Sequence, residues 1–167
     1  MCLPTYAAGS GPDIEVGVIS SPRSAGAGVC FAPRGNSRSV LRLYADVLDM
    51  LGGKHKSPGV KTDYHMMFSH APIKVNDDTD LILSIGPGVA LGYVSDTDFK
   101  HEFAAGVSCM ASAALRFRRV PLSVSVDFSA MAGFRATQKN QFDQTLTLYK
   151  NGLRRCWIPE LTIAYRF

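Results

Sequence analysis

Trp157-Ile-Pro-Glu-Leu-Thr-Ile-Ala-Tyr-Arg-Phe167 decides how this chain folds. Taken at every second residue, one set is Trp157, Pro159, Leu161, Ile163, Tyr165 and Phe167, and the other is Ile158, Glu160, Thr162, Ala164 and Arg166. Successive side chains of a strand point to opposite faces, so this is a strand with one apolar and one mostly polar face. It runs to an aromatic carboxy-terminal residue, which points to a closed sheet whose last strand meets its first.

The same period recurs upstream. In Thr79 to Val94 one face carries Leu81, Leu83, Ile85, Val89, Leu91 and Tyr93, and the other Gly86, Gly88, Ala90 and Gly92. In His101 to Arg118 the apolar face is Phe103, Val107, Leu115 and Phe117, opposite Glu102, Gly106, Ser108, Ser112 and Arg116. After the short turn Arg118-Arg119-Val120-Pro121, Leu122, Val124, Val126, Phe128 and Phe134 alternate with Ser123, Ser125, Asp127 and Arg135. Shorter runs start near Ile14, Ala25, Leu41 and Tyr64. About eight strands result, the number whose barrel interior side chains just fill.

Connectors divide by length. Ala32 to Ser37, Lys74 to Asp80 and Arg118 to Pro121 are short; Gly52 to Lys61, Ser95 to Lys100 and Ala136 to Arg155 are longer and more polar. Short turns at one rim and long loops at the other is the layout of a membrane-spanning barrel. The expectation is therefore an all-β fold, a closed antiparallel up-and-down transmembrane β-barrel, in one domain over 1–167, with 1–12 as a flexible amino-terminal segment. Pro87 and Pro159 fall inside expected strands, where a proline cannot donate to the ladder.

Alternation alone allows either face to be the inside. A solvated strand face is rich in Lys, Glu, Thr and Gln. Here it is Gly, Ala and Ser with isolated charges of both signs. Such small residues would leave a water-facing exterior bare but suit a narrow lumen. Buried charges must pair, and Glu15, Arg42, Asp46, Glu102, Arg116, Asp127, Glu160 and Arg166 form a set that can. Leu83, Ile85, Val89, Leu91, Val107, Leu115, Val124, Val126, Leu161 and Ile163 then face lipid. Tyr93, Phe103, Phe117, Phe134, Trp157, Tyr165 and Phe167 stand near strand ends, where interfacial girdles form.

Composition excludes some functions. Of 167 residues, 18 are Lys or Arg and 14 are Asp or Glu, an excess too mild and too dispersed for a nucleic-acid surface. Cys2, Cys30, Cys109 and Cys156 contain no Cys-x-x-Cys pair, so neither a zinc nor a redox motif is expected. Cys2 after Met1 is read as a chain boundary, with any export signal already removed. The spacing of Gly86, Gly88 and Gly92 is not that of a dinucleotide loop. Asn76-Asp77-Asp78-Thr79-Asp80 lacks the glycine and distal glutamate of a calcium loop and reads as a polar turn. His65 and His70, near Asp63 and Ser69, raise a hydrolytic site. Ser69 stands about 13 Å from His65 along a strand, so a partner serine would have to come from another strand. No catalytic residue, metal site or cofactor is assigned.

The chain resembles the small eight-stranded outer-membrane barrels of Gram-negative bacteria, of the OmpA-transmembrane and outer-membrane-protein-X type, and the β-barrel-domain proteins of Bacteroidetes. Gly86-Pro87-Gly88, Arg116-Phe117-Arg118-Arg119-Val120-Pro121-Leu122-Ser123 and Pro159 to Phe167 carry the resemblance. It implies outer-membrane localisation, and recognition of the carboxy-terminal strand by the barrel-assembly machinery. The expected protein is a monomer with a plugged polar lumen and a non-enzymatic structural or adhesive role through its long loops. The loops contribute Lys54, Lys56 and Lys61 on one side and Lys139, Arg154 and Arg155 on another, a cationic rim suited to lipopolysaccharide phosphates. Two alternatives stand beside this: a lipid A acyltransferase or deacylase, and a soluble lipocalin-like ligand-binding barrel with the faces reversed.

Overall fold

The computed structural model describes residues 13–22, 24–32, 37–46, 59–95, 101–140, 143–148, 153 and 156–167. Ten strand segments follow one another: β1 (Asp13–Ser20), β2 (Ser24–Ala32), β3 (Ser37–Asp46), β4 (Gly59–Ser69), β5 (Ile73–Asn76), β6 (Thr79–Ser95), β7 (His101–Phe117), β8 (Leu122–Asn140), β9 (Asp143–Leu148) and β10 (Glu160–Arg166). Every pairing is antiparallel. β10 pairs with β1 on one side and β8 on the other, which closes the sheet. β5 prolongs β4 along β6, and β9 lies on the same edge of β8 as β10, so the wall has eight staves.

The register shows how far the barrel is sheared. Stepping across partners from Val126 leads to Leu161, Ser20, Ala25, Ala45, Val60, Tyr93, Phe103 and back to β8 at Ala136, ten residues further on. With a rise of ~3.3 Å per residue and ~4.7 Å between strands, that shear tilts the strands by about 41° at a backbone radius of about 8 Å. One consequence is that the lip of the wall climbs as a spiral. β10 and β1 are short, and β8, the longest strand, stands directly beside β10.

The two parities separate cleanly. Val107 (67% exposed), Ile85 (59%) and Ile163 (52%) point out, with Leu83, Val89, Leu91, Leu115, Val126 and Leu161, while Val124 is half-buried on the same face. Ile19, Tyr44, Met67, Ile82, Ala90, Met110, Ala114 and Met131 are buried inside, together with Glu15, Arg42, Asp63, His65 and Asp127. Leu83, Val107, Val124 and Ile163 thus share the exterior and not a common core, and the soluble barrel with reversed faces is excluded on that ground.

Three details differ from the sequence reading. The stretch 136–155 is not one long loop: β8 continues to Asn140, and β9 pairs back on it from Asp143. Polarity alone suggested a loop there, but a hairpin rising past the apolar belt also needs polar strands. Leu148 stands opposite Phe134 and Glu160 opposite Asp127, so the chain uses twelve steps where its partner uses seven, five more than a continuous strand needs. Lys61 belongs to β4 and not to the preceding loop. Finally, a tight turn follows β1 on the long-loop rim. There Ser24 N donates to Ser21 Oγ at 2.9 Å and Ser21 N to Ser24 O at 2.8 Å.

Both prolines fit these details. Pro159 precedes β10, in the excess segment, where no ladder donor is required. Pro87 keeps its register with Cys109 on β7, while the ladder to β4 skips from His65–Gly88 to Phe68–Ile85 without a shift. The missing N–H is absorbed by a local gap in hydrogen bonding and not by a bulge.

Candidate functional site: the polar lumen

The charges inside the barrel come from the parity that otherwise carries Gly, Ala and Ser. Arg42 of β3 and Asp63 of β4 are direct cross-strand partners. Arg42 Nε and Nη2 donate to Asp63 Oδ1 and Oδ2 at 2.8 and 3.0 Å, a bidentate pair. Arg42 Nη1 crosses the lumen to Glu160 Oε2 of β10 at 2.8 Å, and Tyr44 Oη donates to the same oxygen at 3.2 Å. Two cations lie over the Tyr44 ring, the Arg42 guanidinium at 5.1 Å and Lys61 Nζ at 5.4 Å. Arg42 and Asp63 are each 2% exposed, so this cluster obstructs the middle of the lumen.

One register row lower, His65, Gly88 and Ser108 are successive partners across β4, β6 and β7. Gly88 has no side chain because the His65 ring occupies its place: an added Cβ would lie 2.5 Å from a ring carbon and 2.2 Å from Tyr64 O. The ring therefore passes over β6, and Nε2 reaches Ser108 Oγ at 2.9 Å. On its other side Nδ1 lies 3.3 Å from Asp63 Oδ1 but lacks the alignment of a hydrogen bond. This is the order of a Ser-His-Asp relay, Asp63–His65–Ser108, with the serine from another strand. It lacks the access such chemistry needs: His65 is fully buried and both Asp63 oxygens are engaged by Arg42.

Toward the rim that carries the chain end, Arg116 Nη2 donates to Glu15 Oε1 at 2.6 Å. Arg38 reaches two hydroxyls, Ser84 at 3.1 Å and Ser112 at 3.4 Å. Asp127 accepts from Thr162 at 2.8 Å and Ser125 at 3.2 Å. At the rim itself Arg118 clamps Asp80 through two bonds of 2.9 and 2.7 Å, and Arg119 pairs with Asp78 at 2.8 Å. Asp78 N donates to Asn76 Oδ1 at 2.9 Å, which makes 76–79 a self-bonded turn. At the opposite end Arg135 pairs with Glu102.

Of the charges singled out from the sequence, Glu15, Arg42, Arg116 and Glu160 join ion pairs inside the barrel, and Glu102 pairs near the loop rim. Asp127 is held by hydroxyls alone, and Arg166 makes no ion pair among the described residues. The Asp46 side chain, Lys54, Lys56, the Lys139 side chain, Arg154 and Arg155 lie outside the described residues. Sequence reasoning missed Arg38, Lys61, Asp63 and Arg135 as lumen charges, although each lies on the small-residue parity of its strand.

The aromatic residues form two rows on the outer face. Tyr93 faces Phe103 across β6 and β7, with Phe134 and the 83% exposed Trp157 on the same long-loop side. Phe117, half-buried, stands opposite Thr79 on the other side, where Tyr165 and Phe167 stack edge to face at 5.0 Å. From Thr79 to Tyr93 the tilted β6 climbs about 35 Å along the axis, close to a ~30 Å hydrocarbon core with part of its interfaces.

A closed eight-stranded up-and-down barrel, apolar outside and charged inside, is the inverse of a water-soluble barrel; it defines the class as the outer-membrane type. Solved structures of that class share the architecture. A major outer membrane protein from Thermus thermophilus superposes with a TM-score of 0.52 at 12% identity, over 93% of this chain and 98% of that one. The amino-terminal β-barrel domain of Pseudomonas aeruginosa OprF covers 93% of this chain and 97% of its own, at 10% identity and a TM-score of 0.49. No family model matches the chain, and no curated protein matches its sequence. At these identities the likeness is one of fold.

Proposed function

We propose that the chain is a monomeric, non-conducting barrel of a bacterial outer membrane that acts without catalysis, as a rigid anchor presenting its long-loop rim to the surface. Arg42 carries this reading. It spans the lumen from β3 to β10, its guanidinium held by a carboxylate from β4 and another from β10, and eight strands leave little room around it. The outward apolar set from Leu83 to Ile163 meets hydrocarbon, the aromatic rows meet the interfaces, and the cationic loop residues serve lipopolysaccharide phosphates. Recognition of the closing strand β10 by the barrel-assembly machinery belongs to the same reading. Planar-bilayer recording is the test. Insertion without a stable, sizeable conductance is expected, and such a conductance would refute the plugged lumen.

The Asp63–His65–Ser108 row favours one other reading, a lipid A-modifying acyltransferase or deacylase with Ser108 as nucleophile. It ranks second because Ser108 faces the lumen and not the lipid. Incubation with labelled lipopolysaccharide decides it: turnover by the wild type that Ser108→Ala abolishes supports the enzyme, and no turnover by the wild type ends it.

A further inference from the structure

On the chain-end side of the Arg42 cluster, three guanidiniums inside the barrel face two carboxylates. Arg38 of β3, Arg116 of β7 and Arg166 of β10 share the inward parity with Glu15 of β1 and Asp127 of β8. Glu15 accepts from Arg116 at 2.6 Å, and Asp127 accepts from Thr162 and Ser125. At the rim, Arg118 and Arg119 are matched by Asp80 and Asp78. One positive charge in this half of the lumen is left without a counterpart. Arg38 carries it deepest: it reaches Ser84 and Ser112, well inside the rim ends of β6 and β7 at Thr79 and Phe117.

The groups around Arg38 offer hydrogens and no further charge. A guanidinium has five N–H donors and accepts nothing. Arg38 uses Nη2 on the two serines; it makes no ion pair among the described residues, and its Nε, sealed from solvent, has no hydrogen-bond partner. Each serine accepts from Arg38 and keeps its own proton to donate. Ser84 shares a bond of 3.0 Å with Ser69 Oγ, whereas Ser112 makes no other side-chain bond among the described residues. Arg38, Arg116, Glu15 and Asp127 all lie close enough to Cys30 to act on its thiol through their charges. Cys30, Arg38, Arg116 and Ser125 face inward yet are only half-buried, so the lumen is not close-packed among them.

We propose that this half of the lumen binds one halide ion, chloride under physiological conditions, between the Arg38 guanidinium and the Ser112 hydroxyl. A charge held away from water needs an opposite one, and charge-assisted N–H and O–H donors are what an anion binds. Eight strands leave room for a small monovalent ion and not for a bulky one. Arg166 and Arg116, on the way in from the rim, draw anions toward it. The site needs the closed barrel and its inward charges alone, and does not depend on the anchoring role.

Urea unfolding in lipid vesicles tests it with sodium bromide as the probe and gluconate, too large for the lumen, holding the ionic strength constant. A ligand that binds only the folded chain shifts the unfolding equilibrium with its concentration, so a tenfold rise in bromide should stabilise the wild type by up to about tenfold. Arg38→Gln removes the charge and should lose this dependence. Arg119→Gln, at a side chain 80% exposed on the rim, should keep it, which separates the site from general effects of the salt. A wild type indifferent to bromide, or an Arg38→Gln variant that responds as the wild type does, overturns the site. Anomalous diffraction from wild-type crystals soaked in bromide decides the matter without any variant. A peak beside the Arg38 guanidinium is expected, and bromide found only elsewhere overturns the site.

Discussion

Replacing Arg42 with Met removes the side chain that joins three staves of the barrel and leaves two carboxylates behind. Asp63 loses a bidentate partner and Glu160 its only cation among the described residues. Breaking a buried pair from one side typically costs about 3–5 kcal/mol, because the remaining charge is stranded. Asp63 keeps Lys61 Nζ at 3.5 Å, but Lys61 is about one-third exposed and its charge is partly screened by water. Glu160 keeps the Tyr44 hydroxyl. The lower end, about 3 kcal/mol, is therefore expected, some two orders of magnitude in the folding equilibrium. Reversible urea unfolding in lipid vesicles measures it, with heat-modifiable migration on gels as the second probe. The triple variant Arg42→Met, Asp63→Asn, Glu160→Gln carries no stranded charge and should recover most of the loss. The reasoning is refuted if Arg42→Met stays within about 1 kcal/mol of the wild type, or if the triple variant is less stable than the single one.

Three other outcomes follow from the geometry. Ile85 is 59% exposed at mid-height between the aromatic rows, so Ile85→Arg should lower stability in bilayers by about 2–4 kcal/mol; a change under ~0.5 kcal/mol would mean that water and not lipid lies outside. Gly88→Ala drives a Cβ to 2.2 Å from Tyr64 O and should cost about 1–3 kcal/mol, whereas Gly92→Ala meets nothing closer than 3.7 Å and should change little; equal effects in parallel urea titrations would remove His65 from over β6. Cys109, opposite Pro87 on the outer face, should resist a charged thiol reagent in vesicles and react in urea; mass spectrometry of the adduct reads both.

Much of the architecture is local information. Leu83, Ile85 and Val89 alternate with Ser84, Gly86 and Gly88 within a few residues, and a strand's two-residue period turns that directly into two faces. Which face is inside also follows from local composition, since Gly and Ser on the second face cannot make a good water-facing surface. The polar stretch 136–148 misled for the same reason: a hairpin above the belt and a loop share a composition, and only the partner strand tells them apart.

The lumen was legible as a class of residues but not as a set of partners. Parity placed Arg42, Glu160 and His65 on the inner face; it could not choose Asp63 and Glu160 for Arg42, or Ser108 for His65. Arg42 and Glu160 are 118 residues apart, and His65 and Ser108 are 43 apart. Such pairs depend on the stagger between strands, and a slip of one residue would send each side chain to the other face. The slant of the lip likewise exists only because a ten-residue shear displaces each stave along its neighbour. Alternation and composition therefore determined the staves, their two faces and the side turned to hydrocarbon. The ion pairs, the row over Gly88 and the slant of the lip were decided by closure, because shear is a property of the ring of strands and of no single strand.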